Sequence, residues 1–61
     1  MQYVLRVRND TGDTYLSHIA YSTQAIVAMA REFILLGDTP GACYKRENSQ
    51  QDWQYIGYLG R

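Results

Sequence analysis

Two stretches that alternate apolar and polar residues about polar turns flank one uninterrupted run with helical spacing, and all of this must fit in 61 residues. A chain of that length makes one domain, residues 1–61, and folding buries roughly 60% of the surface its unfolded form exposes. The hairpins and the helix must therefore share a single apolar layer. The expected fold is α+β, in the order ββαββ, with a four-stranded sheet and one helix packed on one of its faces.

Met1, Tyr3, Leu5 and Val7 alternate with Gln2, Val4, Arg6 and Arg8, the period of a half-buried strand, which places the odd residues inward. Asn9-Asp10-Thr11-Gly12-Asp13 is rich in residues that cap their own backbone or tolerate positive φ, and it reads as the turn into a second strand over 14–21. A loop of even length aligns Val7 with Leu16 and Leu5 with His18 on the inner face and leaves Arg8 beside Tyr15 outside. One residue more or less in the loop flips every side chain of the second strand.

Ser22 or Thr23 supplies a hydroxyl for a helix start, and Gly37 with Pro40 beyond it supplies the stop, which predicts a helix over 23–36. Ile26, Val27, Met29, Ala30, Phe33 and Ile34 form its apolar stripe; Gln24, Ala28, Arg31, Glu32 and Leu35 form its outer side. Leu5 and Phe33 lie on the inward period of their elements and are expected in the core. A second hairpin is expected from 41–47 and 53–59 about the polar stretch 48–52. A five-residue loop there sets Tyr44 across from Ile56 and Ala42 across from Tyr58 on the helix side. Cys43, Lys45, Glu47, Trp53, Tyr55 and Gly57 then fall on the opposite face.

This hairpin, helix, hairpin layout resembles the β-grasp layout of the small immunoglobulin-binding domains of streptococcal protein G, whose opening strand is similar to Met1-x-Tyr3-x-Leu5. The resemblance implies strand order 2-1-4-3 with a parallel central pair. It does not imply immunoglobulin binding, because no contact motif of that family can be laid onto this helix. A fully antiparallel four-stranded sheet is the alternative, since a single helix joins the second and third strands either way.

Chemistry-bearing motifs are sparse. Asp10-Thr11-Gly12 spells the tripeptide of aspartic proteases, but its flanks are Arg8-Asn9 and Asp13, where that chemistry needs an apolar strand. Thr-Gly is what a hairpin turn requires. The same loop lacks the spaced oxygen ligands and bidentate glutamate of a calcium site. His18 and Cys43 are each the sole residue of their kind, without a partner at metal-ligand or nucleophile-base spacing. His18 reads as a hydrogen-bonded strand residue and Cys43 as an inert filler or surface thiol. Gly37-Asp38-Thr39-Pro40-Gly41 follows a helix, so it cannot offer helix-start amides to a phosphate. No cofactor, no metal and no enzymatic activity are expected.

With one cysteine no intramolecular disulfide forms, which favours a reducing compartment. The N-terminus lacks the order of a signal peptide, and the longest apolar run, 25–30, is too short to span a bilayer. The expectation is cytoplasmic, without a membrane partner. Six Lys/Arg balance six Asp/Glu, so any charge-based partner must respond to a local patch. In its compact, neutral and motif-free character the chain resembles small proteins of bacteriophages and other mobile elements.

Six tyrosines and one tryptophan stand against a single phenylalanine, a bias that suits sheet faces where a ring is dry and its hydroxyl wet. The register above gathers Arg6, Arg8, Tyr15, Lys45, Trp53 and Tyr55 on the face away from the helix. Tyr, Trp and Arg dominate interface hot spots. The expected function is stoichiometric protein binding, as an inhibitor, adaptor or accessory factor, with a second copy of the chain among the possible partners. The alternative is a single-stranded nucleic-acid-binding module, since the same residue types stack bases and neutralise phosphates.

Overall fold

A computed structural model describes residues 1–60. Its elements are β1 (Gln2–Arg8), β2 (Thr14–Leu16), α1 (Thr23–Leu35), β3 (Thr39–Arg46) and β4 (Gln54–Tyr58). The four strands form one open antiparallel sheet in the order β2-β1-β3-β4, so the fold is α+β with the expected element order. The β-grasp order with a parallel central pair is not adopted. The reversal is built at the helix end, where Gly37 takes φ 90° and the chain closes a Schellman motif. The Asp38 amide donates to the Phe33 carbonyl at 2.9 Å and the Gly37 amide to the Ile34 carbonyl at 3.1 Å. From there the chain enters β3 antiparallel to β1.

At the other end of α1, Ser22 sits in extended backbone and its Oγ accepts from the Ala25 amide, the N-cap the sequence predicts. The buried helix face is narrower than expected. Ile26 and Ala30 are buried and Met29 and Phe33 half-buried, whereas Val27 reaches the surface. The cause is coverage: α1 lies over β1 and β3, β2 reaches it through Tyr15 against Phe33, and β4 extends beyond it. Leu5, Val7, Ala20 and Cys43 complete the core, with Leu5 and Val7 wholly buried.

The β1–β2 turn is one residue shorter than the even loop and inverts β2. Asn9 closes it by accepting, at Oδ1, from the Thr11 amide, the Thr11 hydroxyl and the Asp13 amide, while Gly12 takes φ 91°. Five residues then separate Arg8 from its partner Thr14, Val7 pairs with Tyr15 and Arg6 with Leu16. Tyr15 thus turns to the helix side and Leu16 to the open side, opposite to the expected register.

Strand β2 stops at Leu16 rather than running to 21 because Ser17 takes over the ladder with its side chain. The Ser17 amide donates to the Leu5 carbonyl, and Ser17 Oγ accepts from the Leu5 amide at 2.9 Å. The next residues bulge outward, leaving His18 exposed and not opposite Leu5. Pairing resumes at Ala20, whose amide and carbonyl exchange hydrogen bonds with Tyr3.

The second hairpin also has inverted faces. Leu5 pairs with Cys43 and Tyr3 with Lys45, so both β3 residues lie on the helix side, while Val4 pairs with Tyr44 on the open side. Cys43 is buried under the helix, in one core cluster with Ala30 and Ile26. Two one-residue irregularities adjust the register: Gly41 and Ala42 together oppose Arg6, and Ile56 is the extra residue of β4. Ala42 still pairs with Tyr58, as expected, but Tyr44 pairs with Tyr55 in place of Ile56.

Candidate functional site

The face away from the helix is built from alternate residues of four strands: Gln2, Val4, Arg6 and Arg8; Thr14 and Leu16; Thr39, Ala42, Tyr44 and Arg46; Tyr55 and Tyr58. None of these positions is an aspartate or glutamate. Of the six residues expected there, Arg6, Arg8 and Tyr55 are in place, and Trp53 joins them from just outside β4. Two are not there. Tyr15 packs edge-on against Phe33, ring centroids 6.1 Å apart, and its hydroxyl donates to Asp38 Oδ2 at 2.7 Å. Lys45 shares the helix side with Tyr3. Tyr44, Tyr58 and Arg46 take their places, residues that become legible only once Cys43 is turned inward.

The face divides into a fixed half and an open half. In the fixed half Val4 is only 2% exposed although the helix lies on the other side of the sheet. A depression here is lined by Val4, Leu16, Tyr44 and Trp53 together with Arg6, which also lines the groove of the open half. The Arg46 guanidinium lies over the Trp53 ring at 4.1 Å from its centroid, and its Nε–H donates to Gln2 Oε1 at 2.7 Å. Tyr44 meets Tyr55 edge to face, centroids 6.0 Å apart. Trp53, Tyr44 and Arg46 are thereby held down and each is half-buried.

The open half lies toward the other end of the strands. Arg6 stands across Ala42 from Tyr58, Arg8 lies beside Thr39, and Tyr55 borders them from the row of Val4 and Tyr44; the groove these residues line, about 370 Å³, also takes in Gly41, Ala42 and Thr39. Tyr55 is 64% and Tyr58 58% exposed, and both arginines are exposed. Tyr58 is aimed by its neighbours. Its ring lies close over Gly41, and a Cβ at Gly60 would come within 2.5 Å of the Pro40 carbonyl oxygen and 2.9 Å of Tyr58 Cζ. Glycine at 60 lets the last described residues close against β3, where the Leu59 amide donates to the Gly41 carbonyl.

The other residues that drew attention in the sequence are structural. Asp10-Thr11-Gly12 is the Asn9-organised turn. Burial pushes the Cys43 thiol above its ordinary range, the reverse of what activates a nucleophile, with a hydrogen bond from the Tyr44 backbone opposing in part. Among the described residues no three His, Cys, Asp or Glu side chains come together as metal ligands, and no helix is long and apolar enough to cross a membrane.

Compared with protein-family models, curated proteins and solved structures, the chain has no match.

Proposed function

We propose that the chain is a stoichiometric protein-binding module, acting as an inhibitor, adaptor or accessory factor, and that it binds through the sheet face the helix leaves open. One observation carries this reading: Arg6, Arg8, Tyr55 and Tyr58 stand exposed on a face with no acidic strand position, whose other half is already packed. These residue types are the ones whose burial yields binding energy, and a rigid support lowers the entropy lost on association. Size fits as well. A standard interface takes about 800 Å² from each partner, roughly a fifth of this chain's 4350 Å² surface.

The test is affinity capture from the organism that encodes the chain, with and without nuclease, using the parent and the double variant Tyr55→Ala/Tyr58→Ala. A protein retained by the parent after nuclease and lost by the variant supports the reading. Capture that nuclease abolishes makes the face a nucleic-acid platform, and capture that the variant leaves intact moves function off this face.

A further inference from the structure

Resting on that protein-binding reading, we propose that the groove between the β1 arginines and the β4 tyrosines takes one extended acidic segment of the partner, its carboxylates set on Arg6 and Arg8. Width is the first argument. Strands β1 and β4 are neighbours of β3 on either side, which separates them by two strand spacings, about 9.6 Å. That is room for a single extended chain where the residues between are small, as Ala42 and Thr39 are here.

Spacing is the second argument. Arg6 and Arg8 are alternate residues on one strand face, about 6.8 Å apart along the strand. Alternate side chains of an extended peptide repeat at the same distance, so successive downward carboxylates meet successive guanidiniums, the geometry that favours bidentate pairing. Across the groove the exposed Tyr55 and Tyr58 offer apolar ring carbons to the segment's aliphatic part and hydroxyls to its remaining polar atoms.

Charge decides the class of partner. No carboxylate occupies a strand position on this face, so the two guanidiniums have no competing acid in the sheet beneath them. Nucleic-acid binding draws on many phosphate contacts, commonly 6 to 10. Here the third arginine of the face, Arg46, is committed to Trp53 and Gln2, and the chain's formal net charge is zero. Two cations without an ion-pair partner among the described residues suit a pair of carboxylates better than a phosphate backbone.

The experiment is fluorescence anisotropy of the full chain with three labelled probes: a short peptide alternating Glu and Thr, the same peptide with Lys for Glu, and oligothymidine. The acidic peptide alone should bind, and Arg6→Gln and Arg8→Gln should each weaken it by about tenfold. Lys45→Gln, on the other side of the sheet, should not. Because Arg6 and Arg8 are exposed, unchanged circular dichroism and melting of both variants will show that affinity, not folding, was lost. Equal binding of the acidic and basic peptides, or no binding of either, overturns the groove proposal, and the protein-binding reading then stands or falls on the capture experiment alone. Binding of oligothymidine with a steep logarithmic salt dependence overturns both.

Discussion

The sharpest consequence of the structure concerns Val4, which lies on the sheet face without the helix and is nonetheless 2% exposed. Val4→Ala removes two methyl-sized groups, about 1.6 kcal/mol of transfer free energy at roughly 0.8 per group. Trp53 is tied to Arg46 and Tyr44 leans on Tyr55, so the cover does not collapse freely, and a residual cavity adds up to about 1 kcal/mol. The expected cost is therefore about 1.6 to 2.6 kcal/mol. A domain of 61 residues holds about 3 to 9 kcal/mol in total, so the change is easily measured. Urea unfolding followed by tryptophan fluorescence should show a lowered midpoint with an unchanged slope. An outward-facing strand residue in open solvent would cost less than about 0.5 kcal/mol. A loss that small would mean that Trp53 and Tyr44 do not lie over Val4, and the division of the face into fixed and open halves would fall with it.

Ser17→Ala orphans the buried Leu5 amide and should cost about 1 to 3 kcal/mol by urea unfolding; a neutral result would show that the hydroxyl does not complete the ladder. Cys43 should react with a thiol reagent only at the rate of global opening, so that reagent consumption slows in step with stabilising salt or osmolyte; rapid native-state labelling would contradict its burial. The Tyr15 phenol is raised above the ordinary 10.0 by its hydrogen bond to Asp38, then by desolvation and by that carboxylate's charge. The folded state thus holds this proton more tightly than the unfolded state, and the stabilisation is present below the ordinary value and lost as pH rises through the raised one. Tyr15→Phe should accordingly flatten the alkaline fall in unfolding midpoint relative to the parent. Gly60→Ala should lower the melting temperature and loosen Tyr58, because its Cβ would run into the Pro40 carbonyl, an immobile backbone atom.

Where a local signal is strong enough to act alone, the sequence reads correctly. The alternation of β1, the Ser22 cap and the Gly37 stop each rest on the chemistry of a few adjacent residues, and all stand in the structure. Register does not, because parity along a strand is inherited from the loop before it. A single side chain, Asn9, decides whether the first turn contains five residues or six, and with it which of Tyr15 and Leu16 faces the helix. The irregularity at Ser17 then restores Ala20 to the core, so β2 is neither of the two regular strands that an alternating pattern allows.

The half of the site that the sequence misplaced has a common origin in how little of the sheet one helix covers. The five-residue loop expected for the second hairpin puts Ala42 and Tyr44 inward, but the space beneath Ala30 and Ile26 goes to the other set of β3. Cys43 fills it. Tyr44, turned outward, must then be dried by its own neighbours, and the cluster with Trp53, Arg46 and Val4 follows. That cluster is why an abundance of aromatic and basic residues does not by itself mark a binding surface here. Tyr3 and Tyr15 serve the helix side, and Tyr44 and Trp53 hold Val4. Among the described residues of the open face, Tyr55 and Tyr58 stand with Arg6 and Arg8 at a groove where a partner would gain by covering them. Alanine at the exposed Arg8 should therefore weaken a partner without loosening the fold, whereas alanine at Trp53 should do both, and that contrast separates a contact from its support.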